Sequence, residues 1–192
     1  MRVKWILVVL LLELAAGCAS SSATRPVEYL DDRTAMTVGA LKEPIEMVPS
    51  APRVGVFQFG KRPSFAYLGP IEWDRSGSLV YGLWIHIAPG NERATADIRA
   101  PSALTLILDS GPVVLTAIDA PQLGRGAYQP VASWGQTAYF DLTVEMLKQM
   151  AASKTLELNV RNADDSIVNF VPTVDTQAAL TGYLRARGIT GD

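Results

Sequence analysis

Few residues in this chain are equipped for chemistry. It has one cysteine, Cys18, and one histidine, His86. A serine triad would need His86 as its base, and no G-x-S-x-G elbow accompanies it, since "LDSGP" and "RSGS" lack that spacing. A zinc site wants three or four His or Cys ligands, so no metal is expected. Carboxylates remain. Glu72 and Asp74 stand two apart in an alternating stretch and so share one face of a strand, as a pair of glycosidase acids could. Solvated charges on an outward strand face give the same pattern and are the commoner cause. Asp164 and Asp165 lie beside Asn162 in a short polar segment. Oxygen ligation of calcium is conceivable there, yet the twelve-residue loop it uses is missing and turn formation explains the three residues. "GRGAYQ", from Gly124, has two of the three glycines of a dinucleotide fingerprint, with Gln129 in place of the third and no βαβ pattern around it. No catalytic residue and no cofactor are expected.

Aromatic side chains offer a different kind of site. Phe57, Phe59, Tyr67, Trp73, Trp84, Trp134, Tyr139 and Phe140 fall on or near predicted strands. In "SLVYGLWIHIA", Leu79, Tyr81, Leu83, Ile85 and Ile87 face one way, and Ser78, Val80, Gly82, Trp84 and His86 the other. If the second face meets solvent, Trp84 and His86 form a surface able to stack a sugar or grip a peptide. If the strand is buried on both faces, they are core. Both readings stay open at this point.

The elements that must position these groups are mostly strands. Twelve prolines and fifteen glycines punctuate the chain, favouring short strands and turns over long helices. "TAMTVGAL" and "IEMV" read as strand pieces broken by Lys42-Glu43-Pro44, and "VGVFQFG" (54–60) as another. "SFAYLGPIEWD" puts Phe65, Tyr67, Ile71 and Trp73 on one face, with Pro70 marking a bulge or an edge. "DRSG" then turns the chain into the next strand as a hairpin. A second hairpin turns at Asp109 to Pro112, "QLGRGAYQP" is irregular, and "TAYFDL" is a strand. Thr143 caps a helix to about Ser153 with Val144, Leu147 and Ala151 on one stripe. "KTLELNV" and "SIVNFVP" form a third hairpin. A second helix starts at Asp175 or Thr176, turns Leu180, Tyr183 and Leu184 inward, and ends before Gly188. The order predicts a mainly β fold: an antiparallel β-sandwich, or a partly open barrel, with two short helices in the second half of the chain.

The chain's beginning has a different character. Arg2 and Lys4 precede the apolar run "WILVVLLL" (5–12), and small residues Ala15, Ala16 and Gly17 lead into Cys18. A charged start, a short apolar stretch and a small-residue cut site describe a secretory signal over 1–17. The apolar run is shorter than the roughly 20 residues a spanning helix needs, and Glu13 ends it. "LAAGC" resembles the lipobox of bacterial lipoproteins, although Ala15 stands where leucine is commonest. That resemblance implies a diacylglycerol thioether on Cys18, acylation of the new amino terminus, and, with no aspartate after the cysteine, the outer membrane. A lone cysteine in an exported chain needs some account, and a lipid supplies one. Cys18 is then an anchor and not a nucleophile.

Residues 18–28 read as the lipidated cysteine and a tether, and 29–190 as a single β-rich domain. A net charge of −2 without charged blocks lacks the footprint of a nucleic-acid binder. The segments "EYLDDRTAMTV", "FAYLGPIEW" followed by "RSG", and "NFVPTVDTQAALTGYL" resemble a group of uncharacterised proteobacterial envelope lipoproteins. The resemblance implies an envelope lipoprotein and brings no active site with it. The expectation is a lipid-anchored, non-catalytic binding or assembly module on the periplasmic face of the outer membrane. Its partner would be an envelope protein or the cell wall. The alternatives are a purely structural lipoprotein and a carboxylate-based cell-wall hydrolase.

Overall fold

A computed structural model describes residues 25–50, 64–88, 101, 103–161 and 167–189. The expected signal, Cys18, the 54–60 strand and the Asn162, Asp164 and Asp165 group lie outside the described residues. Ten strands and two helices are described: β1 (Pro26–Asp31), β2 (Met36–Leu41), β3 (Ile45–Pro49), β4 (Phe65–Arg75), β5 (Ser78–Ala88), β6 (Ala103–Leu108), β7 (Gly111–Ile118), β8 (Gln136–Asp141), α1 (Val144–Ala152), β9 (Leu156–Arg161), β10 (Ile167–Pro172) and α2 (Thr176–Ala186). Residues 26–28, read from sequence as the end of a tether, are paired strand.

Turn chemistry fixes the local hairpins. Ser76 and Gly77 both take positive φ, and Asp74 Oδ1 accepts the Gly77 amide at 2.8 Å, a tight two-residue turn that the glycine and the aspartate both favour. Thr143 caps α1 by accepting the Met146 amide, and Asp175 caps α2 by accepting that of Ala178. Each cap satisfies a donor the helix leaves unpaired.

The mainly β class with two late helices holds, but the sheet closes on itself fully, where a sandwich or a partly open barrel was expected. Every pairing is antiparallel, and the order β4-β3-β10-β9-β6-β7-β8-β5 returns to β4 through β5, giving a barrel of eight strands. Closure depends on two joins that alternation cannot report, β3 with β10 and β5 with β8. Sandwich and barrel strands carry the same period of two.

β2 and β3 act as one long strand with a bulge at 41–44. β3 pairs with Ala66 to Leu68 of β4, and β2 pairs with Ile71 to Asp74. Gly69 and Pro70 fall between the two registers. Pro70 therefore sits in mid-strand without costing the ladder a hydrogen bond on that side. β4 and β5 outrun the barrel, and with β1 and β2 they form a four-stranded flap beyond its rim.

Inside the barrel lie Leu68, Leu83, Ile85, Phe140, Leu158 and Phe170, all essentially inaccessible. The helices pack against each other and add Leu147, Met150, Leu180 and Tyr183 to the same core. On β9, Leu156, Leu158 and Val160 turn in while Glu157, Asn159 and Arg161 turn out. A membrane-spanning barrel has the reverse pattern, with its apolar band outside. Among the described residues no helix is long and apolar enough to cross a membrane.

Candidate functional site

The two carboxylates of the candidate pair have separate partners. Glu72 and Asp74 share the face of β4 that looks toward α2, as alternation requires, but their surroundings differ. Glu72 is buried, with its Oε1 3.7 Å from Arg187 Nη1. Asp74 is occupied with its own turn. Burial pushes the Glu72 carboxyl above its ordinary value, while the Arg187 guanidinium and a hydrogen bond from Tyr81 pull it down. Arg187, at the end of α2, also ion-pairs with Glu28 and donates to Val27 O at 2.9 Å. Its side chain is 7% exposed. Gly39 makes room for it, because a Cβ there would lie 2.5 Å from Arg187 Cζ. The cluster's chemistry is that of a lock: it fastens α2 to β1, β2 and β4.

Trp84 and His86 do not form a surface. Each is 1% exposed, because β5 is covered on both faces from Gly82 onward. The cover is the irregular segment 119–135. Tyr128 from that segment lies over Gly69 and beside Trp84, with ring centroids 5.0 Å apart. Its hydroxyl donates to Pro70 O at 2.8 Å and accepts from Leu41 N at 3.0 Å, satisfying the two backbone groups that the β2–β3 bulge leaves over. His86 stacks on Trp84 and sits 2.9 Å, through Nδ1, from Thr137 Oγ1. Burial holds its pKa below the usual histidine value, only partly offset by the Ala132 carbonyl. "QLGRGAYQP" reads as loop in sequence, so nothing in its period announces that Tyr128 seals a second face.

The same segment is pinned at its other end by Asp31. Oδ1 accepts from Thr34 N and Oγ1, and Oδ2 accepts from the amides of Gly124 and Arg125 at 2.7 and 3.0 Å. Burial favours the neutral acid, but these bonds outweigh it and hold the carboxyl below its ordinary value.

Between the pinned segment and the flap runs an open cleft that sequence reasoning missed. It has two adjoining parts of about 280 and 400 Å³ that share Met36, Arg75 and Pro121. Trp73, Val80 and Ile118 line the first part, and Arg33, Thr34 and Gln122 the second. Among the described residues neither Arg33 nor Arg75 has a carboxylate partner; Arg33 Nη2 reaches only Gln122 Oε1, at 3.4 Å.

Beside the cleft, Ser78 to Tyr81 of β5 pair with β4 on one side. On the other side β8 pairs only with Gly82 to Ile87. Among the described residues no strand covers this edge, and Leu79 and Val80 are 52% and 48% exposed. The only hint in the sequence is "RSGSLV", a hairpin tip carrying apolar side chains where polar ones are usual.

No group of three or more His, Cys, Asp or Glu residues able to hold a metal ion occurs among the described residues. Compared with family models, curated proteins and solved structures, the chain matches none.

Proposed function

We propose that this protein is a lipid-anchored binding module of a bacterial envelope. Cys18 holds it to the periplasmic face of the outer membrane, and it acts by contact with an envelope protein rather than by catalysis. One observation carries the reading. Glu72 and Asp31 are committed to internal bonds and His86 is buried, while among the described residues the flap tip presents an unpaired strand edge, exposed apolar side chains and two arginines without acidic partners. Buried polar groups serve the fold; open ones are available to a partner. A hydrolase built on Glu72 and Asp74 would need both carboxyls facing a shared cleft, and Glu72 instead faces Arg187.

The test is made on protein purified from cells after brief chemical crosslinking. The N-terminal peptide should begin at Cys18 with the mass of a lipidated cysteine, and Cys18→Ser should leave the outer-membrane fraction. One discrete protein adduct should survive washing. An unmodified Cys18 would remove the anchor, and adducts limited to the most abundant neighbours would remove the binding role.

A further inference from the structure

The geometry points to a specific mode of docking: an extended peptide segment of the partner adds as a strand to Ser78–Tyr81. That guest strand carries an apolar residue and, two positions away, a carboxylate. The inference rests on the binding-module reading and names the chemistry of its partner.

Three separate features of the flap tip lead to it. The first is the main chain. β5 continues four residues past the last residue that β8 pairs, so one side of Ser78–Tyr81 keeps its N–H and C=O groups unbonded by any described strand. Such a row is a ready template for strand addition and asks nothing of the guest's side chains.

The second is the periodicity of what lies beside that edge. Ser78 and Val80 project to the cleft side of the flap, together with Arg75 and Trp73, which stand opposite them in the β4–β5 register. A guest strand alternates too, so every second side chain would enter the cleft. The one level with Val80 meets Trp73, Val80 and Ile118, an apolar surround. The one level with Ser78 comes to the Arg75 side. The intervening residue falls next to exposed Leu79 on the opposite face.

The third is charge. Asp119 lines the cleft together with Arg33 and Arg75, so the lining carries two cations against one anion. The other carboxylates near the tip are turned elsewhere. Asp31 is buried and fully bonded, and Asp74 lies on the opposite face of β4 with its own turn. A carboxylate two residues from the apolar side chain is the group these arginines lack. A lipid surface would use the arginines but would leave the strand edge unbonded.

The probe is a fluorescein-labelled, amidated peptide, Ser-Thr-Val-Thr-Asp-Thr-Ser, titrated by anisotropy against the full chain carrying its native amino terminus. A twin peptide has Lys in place of Asp. The expected result is at least about ten-fold tighter binding of the Asp peptide, inverted in an Arg33→Glu/Arg75→Glu double variant that prefers the Lys twin. Methylating alternate backbone nitrogens of the peptide should abolish binding in both proteins. Because the double variant gains a ligand as it loses one, misfolding cannot imitate the result. Equal binding of both peptides, or indifference to methylation, would overturn the inference. So would a Cys18→Ser chain that sediments with phosphatidylglycerol vesicles and ignores the peptides. If the peptides fail while a discrete adduct persists in cells, the peptide chemistry falls and the module stands. If the Asp peptide binds as expected but Cys18 bears no lipid, the edge stands and the envelope reading falls.

Discussion

The flap has two outer edges, and the chain treats them differently. On β1, Pro26 contributes no N–H, Glu28 places a charge, and Arg187 reaches from α2 to bind both Glu28 and the Val27 carbonyl. Proline, charge and a covering side chain are the devices by which sheet edges are kept from pairing with other chains. On the β5 tip none of them occurs among the described residues: Ser78, Leu79, Val80 and Tyr81 are uncharged and able to donate, and two are exposed aliphatics. Among the described residues a buried arginine guards one edge and nothing guards the other, and the proposed docking rests on that difference. Leu30 is exposed on β1 as well, but it does not line the cleft.

The largest expected effect comes from breaking the guarded edge. Arg187→Ala leaves Glu72 buried without its cation and should cost about 3 kcal/mol at pH 7, read by denaturant unfolding. Gly39→Val should act in the same direction by displacing the guanidinium. In the Arg187→Ala variant the deficit should shrink on acidification. An acid whose folded pKa is raised binds its proton more readily in the folded state, so stability recovers as pH falls through that value. A deficit independent of pH would mean Glu72 is not the group left uncompensated.

Next in size is Tyr128→Phe, which deprives Leu41 N and Pro70 O of their partner inside the protein and should cost about 2 kcal/mol. This substitution sharpens the comparison. It loosens the segment that walls the cleft without touching either edge, so peptide affinity should fall while β1 stays sealed.

A smaller, pH-linked effect belongs to His86. Its folded pKa lies below the unfolded value of about 6.5, so the unfolded chain takes up a proton first. Stability should therefore fall as pH drops below about 6.5, by at most about 1.4 kcal/mol per unit, until the folded pKa is passed. His86→Leu should remove that slope. If the slope survives, acid acts elsewhere in the molecule.

Smallest in stability and most specific in effect is Val80→Lys. On an exposed tip it should change unfolding free energy by no more than about 0.5 kcal/mol, yet it gives β5 the guard that β1 already has. Peptide binding should be lost. Retained binding would separate the cleft from the edge.

Much of this architecture was legible in the sequence because its causes are local. Alternation placed β4 and β5 with their faces correctly assigned, "DRSG" placed their turn, and Thr143 and Asp175 announced their helices. What escaped depends on partners distant in the chain. Closure needs β10 beside β3, more than a hundred residues apart, and no pattern within either strand encodes that meeting. Trp84 and His86 were ambiguous for the same reason, since their burial is decided by Tyr128, in a stretch that reads as loop. The cleft, too, forms only where Arg33, Arg75 and the 118–122 segment converge.

The most direct test of the difference between the edges is photocrosslinking in living cells. A photoreactive phenylalanine analogue is placed at Ser78 in one strain and at Glu28 in another, both in the full chain, and adducts are identified by mass spectrometry. A discrete envelope-protein adduct from the Ser78 position and none from Glu28 is the result expected. Equal adducts from both positions, or an adduct from Glu28 alone, would contradict the account.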